Sequence, residues 1–317
     1  MKVPVFDLHC DTALALLGDH FDKIDSLRSN NLHVDLERAK KLPGYAQCFA
    51  CYTSPLQQLP ASLSVIGLFE RELAAVLQET EQNSDCIRLA YSAKQIRENA
   101  EKGLMSALLT IEGPAGFDYN DALLEDLYKI GFRMTTLGWN EENPLTGSHV
   151  TGGGLTEQGR EYVKEAQRLG MIVDVSHISD AGFWDIMEIA EKPVVASHSN
   201  SRSLCNHPRN LTDEMYLALC KTGGTVGVNL YTEFLGESAT IDTVCDHIFR
   251  FLDLAGDDCH VSLGSDFDGI DSLPEGVSGV QDYPLLAERL SQRGLSDVSI
   301  LNIFWNNALG VIERCSM

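Results

Sequence analysis

The sequence predicts a single-domain (β/α)8 barrel of the TIM type over residues 1–317. Three observations predict it. Short apolar runs alternate with longer amphipathic stretches, the pattern of βα units, and right-handed crossovers leave such units few topologies. Eight apolar runs can be counted, and their nearly continuous apolar content is that of strands buried on both faces. Polar residues able to do chemistry close five of these runs at the C-terminal end, the end that carries the active site in such barrels. A doubly wound open sheet is the competing topology, but no Gly-rich phosphate loop follows the first strand.

In chain order, the strands are read at residues 3–9, 46–52, 105–112, 132–137, 172–177, 194–198, 225–230 and 260–264. Helical periodicity falls at 65–80, 122–130, 157–169, 181–190, 213–221 and 240–255, with a closing helical region at 295–313. Thr156, Ser179 and Thr212 precede three of these helices as N-cap residues, because their hydroxyls can accept from free first-turn N–H groups. Residues 19–42 and 88–103 read as additional loops and short helices.

Composition excludes several function classes. Lys and Arg number 24 and Asp and Glu 46, a formal charge of −22. Nucleic acid and anionic membrane surfaces would repel such a chain. No apolar run reaches the ~18 residues of a membrane span, and no secretory leader or anchor pattern is present. Nine cysteines, an odd number, suit reduced thiols better than a disulfide framework. A cytoplasmic enzyme is the expectation. Cys48 and Cys51 face opposite sides of a strand and read as buried thiols, and the run Gly152-Gly153-Gly154 reads as a flexible loop. His20, His33, His149, His207, His247 and His260 show no partner spacing.

The strand ends carry the chemistry. They read Asp7-Leu8-His9-Cys10-Asp11, Thr110-Ile111-Glu112-Gly113, Asp174-Val175-Ser176-His177, Ala196-Ser197-His198-Ser199 and Gly264-Ser265-Asp266-Phe267-Asp268-Gly269. Strand residues two apart face one side, so His9 and Asp11 can grip one metal together. A carboxylate at a buried strand end, like Glu112, is costly without a cation. Five ligands suit two metals better than one, and paired divalent ions need a bridging carboxylate. Glu112 is the candidate bridge, His9 and Asp11 complete one site, and His177 and His198 the other. A bridging water would lose a proton near neutral pH and serve as nucleophile. Asp266 then reads as the group that takes that proton and returns it to the leaving amine.

Taken together, these motifs resemble the membrane (renal) dipeptidase family of the amidohydrolase superfamily over nearly the whole chain. The run from Ser197-His198-Ser199 to Arg209-Asn210 extends the match. The resemblance implies a barrel with two zinc ions, other divalent metals being the alternative. It assigns His9, Asp11, Glu112, His177 and His198 as ligands and Asp266 as the proton-transfer residue. It puts Arg209 on the substrate's C-terminal carboxylate, which a guanidinium fork matches. It also implies a small dipeptide substrate, L-Xaa-D-Xaa as well as L-Xaa-L-Xaa, and a homodimer. One position departs from the family's eukaryotic members: Trp139 stands where they carry a histidine that contacts the scissile carbonyl. The Trp139-Asn140 form resembles a bacterial branch. The oxyanion is then stabilised either by metal or by a hydrogen bond from Asn140, and Trp139 either lines the substrate site or packs at the rim. A binuclear hydrolase of another amide, lactam, lactone or phosphoester, and a catalytically silent barrel, are the rival readings.

Overall fold

The computed structural model describes residues 2–19, 21 and 23–316; His20, read above as lacking a partner, lies outside them. Among the described residues, nine strands form one sheet: β1 (Val5–Cys10), β2 (Tyr45–Tyr52), β3 (Ile87–Leu89), β4 (Met105–Glu112), β5 (Phe132–Thr136), β6 (Ile172–Asp174), β7 (Val194–Val195), β8 (Val226–Val228) and β9 (Val261–Leu263). Every ladder is parallel. The order is β7-β6-β5-β4-β2-β1-β9-β8. The two ends meet, because Ala196 bridges Val226 in parallel and the Gly227 N–H donates to the Ala196 carbonyl at 2.8 Å. The result is the expected eight-stranded barrel, nearly closed, with β3 paired to the first half of β4 as an addition.

Strand burial is continuous, as the apolar runs required: all residues of β1 and β4 are buried. The helices Glu157–Leu169 and Asp213–Lys221 fall where periodicity placed them. The Thr156, Ser179 and Thr212 hydroxyls accept from the N–H groups of Gly159, Gly182 and Met215. Cys48 and Cys51 are buried free thiols.

The structure adds to the reading in two places and changes it in one. Residues 88–103, read as loops and short helices, hold such a helix, Ala93–Glu101, capped by Ser92, and also most of β3. A helix at Tyr283–Gln292, which periodicity reading passed over, lays Tyr283, Leu286, Ala287 and Leu290 on the barrel. The later strands are shorter than read. β6 stops at Asp174: the Val175 N–H still reaches the Val195 carbonyl at 2.8 Å, but beyond it the N–H groups of Ser176, and of Ser197 past the end of β7, turn to Asp174 Oδ1.

The barrel's two ends differ. At the N-terminal end, the last helix (Asn307–Cys315) packs against β1, β6 and β9 at once. Its Leu309 and Ile312 join Phe6, Leu8, Met134 and Val195 in one apolar cluster. The C-terminal end is left open for chemistry. Between them the wall is tight at two glycines: a Cβ on Gly264 would stand 1.7 Å from the Ser197 carbonyl oxygen, and one on Gly227 2.0 Å from the same atom. That neighbour is backbone and cannot swing away. Gly264→Ala is expected to cost about 1–3 kcal/mol, the range for overpacking, as a lowered midpoint in denaturant titration. An unchanged midpoint would mean that the wall yields. No helix among the described residues is long and apolar enough to cross a membrane.

Candidate metal centre

Strand ends bring the predicted side chains to one mouth. His9 lies on β1, where the register against β2 shifts between Asp7 and Cys10; such irregularities re-aim a side chain. Asp11 follows β1, held by its N–H to the Phe267 carbonyl at 2.8 Å. Glu112 is the last residue of β4. His177, His198 and Asp266 each follow a strand by three residues. His177 and Asp266 have left-handed backbones, with φ of 68° and 64°. That conformation costs ~1–3 kcal/mol at a non-glycine residue and persists only where surroundings fix it.

The donor atoms converge. Glu112 Oε2 lies 3.3 Å from His9 Nε2, which is also 3.3 Å from Asp11 Oδ2 and 3.8 Å from Asp266 Oδ1. Glu112 Oε1 lies 2.9 Å from His177 Nε2 and 3.8 Å from His198 Nε2. The two Nε2 atoms face each other at 3.0 Å, and the His9 and His198 rings stack at 3.8 Å between centroids. One carboxylate therefore turns one oxygen to each of two donor sets. Ligand atoms of His9, Glu112 and His198 lie within 4.8 Å of one another, as do those of His9, Asp11 and Asp266.

The electrostatics are those of a cation site. Burial pushes Asp11 up to about 6, with Glu112 adding to the effect. Burial likewise pushes Asp266 up to about 7; His9 opposes, while Asp11 and Glu112 reinforce. For His9, burial disfavours the charged form, but Glu112 and Asp11 outweigh it and hold the ring well above its ordinary value. Burial, with positive neighbours, drives His177 and His198 well below theirs, so both are neutral with a lone pair to give. Asp11 Oδ1 is buried with no hydrogen-bond partner among the described residues. An orphaned oxygen among crowded carboxylates and facing imidazole nitrogens fits a divalent cation.

The mouth opens into a cavity of about 480 Å³ walled by Tyr52, Trp139, His149, His207, Tyr231 and Phe234. Trp139 stands on this wall, its ring 5.3 Å from Tyr52 and 6.3 Å from His177. Asn140 lines the same cavity, and its side-chain Oδ1 lies 2.9 Å from His177 Nδ1. Arg209 sits just behind the wall, 3% exposed. Its Nη1 donates to Ser199 Oγ at 2.9 Å, while Nε and Nη2 have no partner among the described residues. A buried guanidinium with two spare donors is ready for an anion.

Sequence reasoning missed several members of the site. His149 and His207, dismissed for lack of partner spacing, flank it through space: the His149 ring is 6.0 Å from His177 and 6.2 Å from His207. Burial, with Arg209 nearby, pushes His149 down to about 4. Asn229 Nδ2 donates to Asp266 Oδ2 at 2.9 Å. Asp7 and Asp174, quoted in the motifs without a role, make the same clamp twice. Asp7 Oδ1 accepts from His9 N and Ser265 N, and its Oδ2 from the Ser265 and Tyr283 hydroxyls. Asp174 Oδ1 accepts from Ser176 N and Ser197 N, and its Oδ2 from the Thr136 and Ser197 hydroxyls. In each clamp the serine immediately precedes a site residue, Asp266 or His198. Two buried acids in strands, each two or three residues before a histidine, were the available signal.

Comparison with known proteins places the chain among dipeptidases. A family model described as membrane dipeptidase, peptidase family M19, matches residues 1–316. A dipeptidase of Clonostachys rogersoniana is 31% identical over 326 aligned positions, covering 98% of this chain and 84% of that protein. A metallo peptidase of Rhodobacter sphaeroides, solved with a phosphinate mimic of the dipeptide L-Ala-D-Ala, superposes with a TM-score of 0.88 at 25% identity, over 99% of this chain and 100% of that one. A second solved metallo peptidase of family M19 gives a TM-score of 0.88 at 27% identity, over 99% of each chain.

Proposed function

The chain belongs to the membrane dipeptidase family, whose members are metal-dependent hydrolases of dipeptides, and on that premise we propose that it is a binuclear zinc dipeptidase. The observation that carries the reading is Glu112, with Oε2 toward His9 and Oε1 toward His177 and His198. His9 and Asp11 would hold one ion, His177 and His198 the other, and Glu112 both. Imidazole and carboxylate without thiolate suit zinc. When bound, the ions supply Lewis acidity at the scissile carbonyl.

The chain's own groups do the rest. Asp266, at the rim of the cluster and held by Asn229, takes a proton from the attacking water and passes it to the departing amine. Its tuning toward neutrality suits both halves of that task. The spare donors of Arg209 pair with the dipeptide's C-terminal carboxylate, which limits the enzyme to substrates ending one residue past the scissile bond. Tyr52, Trp139 and Phe234 shed water around the side chains. Because the Rhodobacter sphaeroides protein is liganded with a mimic of L-Ala-D-Ala, a D-residue on the C-terminal side is part of the proposal.

The experiment is chelation and zinc restoration while a panel of L-L and L-D dipeptides is followed. Metal-dependent cleavage of part of the panel is expected, with two ions per chain in the active protein; no cleavage of any member overturns the reading. Arg209→Ala separates a dipeptidase from a hydrolase of lactams, lactones or phosphoesters. For dipeptides, kcat/KM should fall by ~10²-fold or more, the size of a lost charged pair. Discrimination against C-terminally amidated dipeptides should vanish with it. Undiminished dipeptide hydrolysis would assign the carboxylate contact elsewhere.

A further inference from the structure

We propose that Asp174, acting through Ser197, and Asn140 are positioning residues that fix which ring nitrogen of His198 and of His177 carries the proton. Asp174 is wholly buried. Both of its oxygens are occupied by donors: Ser176 N and Ser197 N at 2.9 Å on Oδ1, and Thr136 Oγ1 at 2.9 Å with Ser197 Oγ on Oδ2. The Ser197 hydroxyl donates to Asp174 Oδ2, so its single proton is spent there. Its oxygen offers only lone pairs to His198 Nδ1, 2.7 Å away. That nitrogen must be the donor, and Nε2 is left with its lone pair.

The second imidazole reaches the same state by another route. His177 Nδ1 meets the Asn140 carboxamide oxygen at 2.9 Å, and a carbonyl oxygen can only accept. The loop that presents it is tied down, because Ser148 Oγ donates to the Asn140 backbone carbonyl at 2.8 Å. Both rings thus carry hydrogen on Nδ1 and aim bare Nε2 atoms at each other, 3.0 Å apart, and at Glu112. Acceptors facing one another with no hydrogen between them repel, and a cation turns that repulsion into binding. Outer partners of this kind fix the tautomer of metal-binding histidines, and losing one costs about 10–100-fold in metal affinity. The affinity half of the proposal rests on the metal reading above; the proton placement does not.

Asp174→Asn separates the two. The new amide keeps one oxygen for the backbone N–H groups but turns the other position into a donor. Of the acceptors then left to Ser197, His198 Nδ1 at 2.7 Å is nearer than Ser176 Oγ at 3.3 Å, so Ser197 turns its proton to the ring and the ring proton moves to Nε2. Ring-nitrogen NMR of the metal-free protein should show a protonated His198 Nδ1 in the parent chain and a bare one in the variant. Zinc affinity, measured by competition with a chromophoric chelator, should fall by ~10–100-fold. Ser197→Ala removes a partner without inverting the ring and should cost less. At His177, Asn140→Asp keeps an acceptor and should retain zinc affinity, whereas Asn140→Leu should lose about tenfold. A parent chain protonated on Nε2, or an Asp174→Asn protein with unchanged ring signals and zinc affinity, overturns the proposal. If Asp174→Asn does not fold, the Asn140 pair decides, and equal affinity in its two variants overturns it. Inverted signals in a chain that binds no zinc at all would sink the metal reading and leave the proton placement standing.

Discussion

Glu112→Gln should remove dipeptide hydrolysis and metal together. The residue turns one oxygen to His9 and the other to the pair His177 and His198. Gln keeps the size but loses the charge and turns one oxygen into an NH2 group, which donates and cannot ligate. Lewis acidity at a reacting carbonyl is worth several kcal/mol. At about 1.4 kcal/mol per factor of ten, losing it lowers kcat by at least ~10³-fold. Metal content, read by elemental analysis after gel filtration, should fall from two ions per chain to one or none. Glu112→Asp, which shortens the reach, should fall between. A Gln variant with full metal and a near-parental rate would show that Glu112 shares no metal, and the proposed centre would have to be abandoned. The fold should survive, because removing a carboxylate relieves crowding with Asp11.

Asp266→Asn should leave the metal in place and slow the chemistry. Positioned proton transfer contributes about 10²–10⁴-fold, and the loss should appear in kcat far more than in KM. Its pH dependence is specific. Burial is the largest influence on this carboxyl and holds it near 7, against an ordinary 3.8. Below its pKa the group is protonated and cannot accept a proton. In the parent enzyme kcat/KM should therefore rise with pH through a single-proton limb and flatten above neutrality. A bound cation favours the ionised form and draws that limb to lower pH. The Asn variant should lack the limb altogether. If the limb persists in Asp266→Asn, it belongs to another group and Asp266 is not the proton carrier.

Legibility followed the range of the forces involved. β4 was readable to the residue, because a strand buried on both faces shows itself as a mostly apolar run, here broken only by Ser106 and Thr110, ended by a charge. The helix Tyr283–Gln292 was passed over although its buried residues Tyr283, Leu286, Ala287 and Leu290 keep helical spacing. The Gly- and Pro-containing stretch before it masked a short signal. β3 has three residues, one of them exposed, too few to show a period. At the site, His149 and His207 could not be paired from sequence, since 58 positions separate them and only the folded mouth brings their rings to 6.2 Å. Asp174 ends β6 and Ser197 lies two residues past β7; they meet because Asp174 pairs with Val195 across the ladder, a contact between remote residues.

By itself, then, the sequence determined the βα alternation, the barrel, and which strand ends carry histidine and carboxylate. Those follow from hydrophobic periodicity and residue chemistry, which are local. Only the tertiary structure decided that Glu112 divides its oxygens between two donor sets, that the Asn140 carboxamide oxygen meets His177, and that Arg209 waits behind the wall with two donors that no described residue engages. Those depend on hydrogen-bond directions and distances of a few ångströms between remote residues, fixed only when the barrel closes and its packing leaves each side chain one place to go.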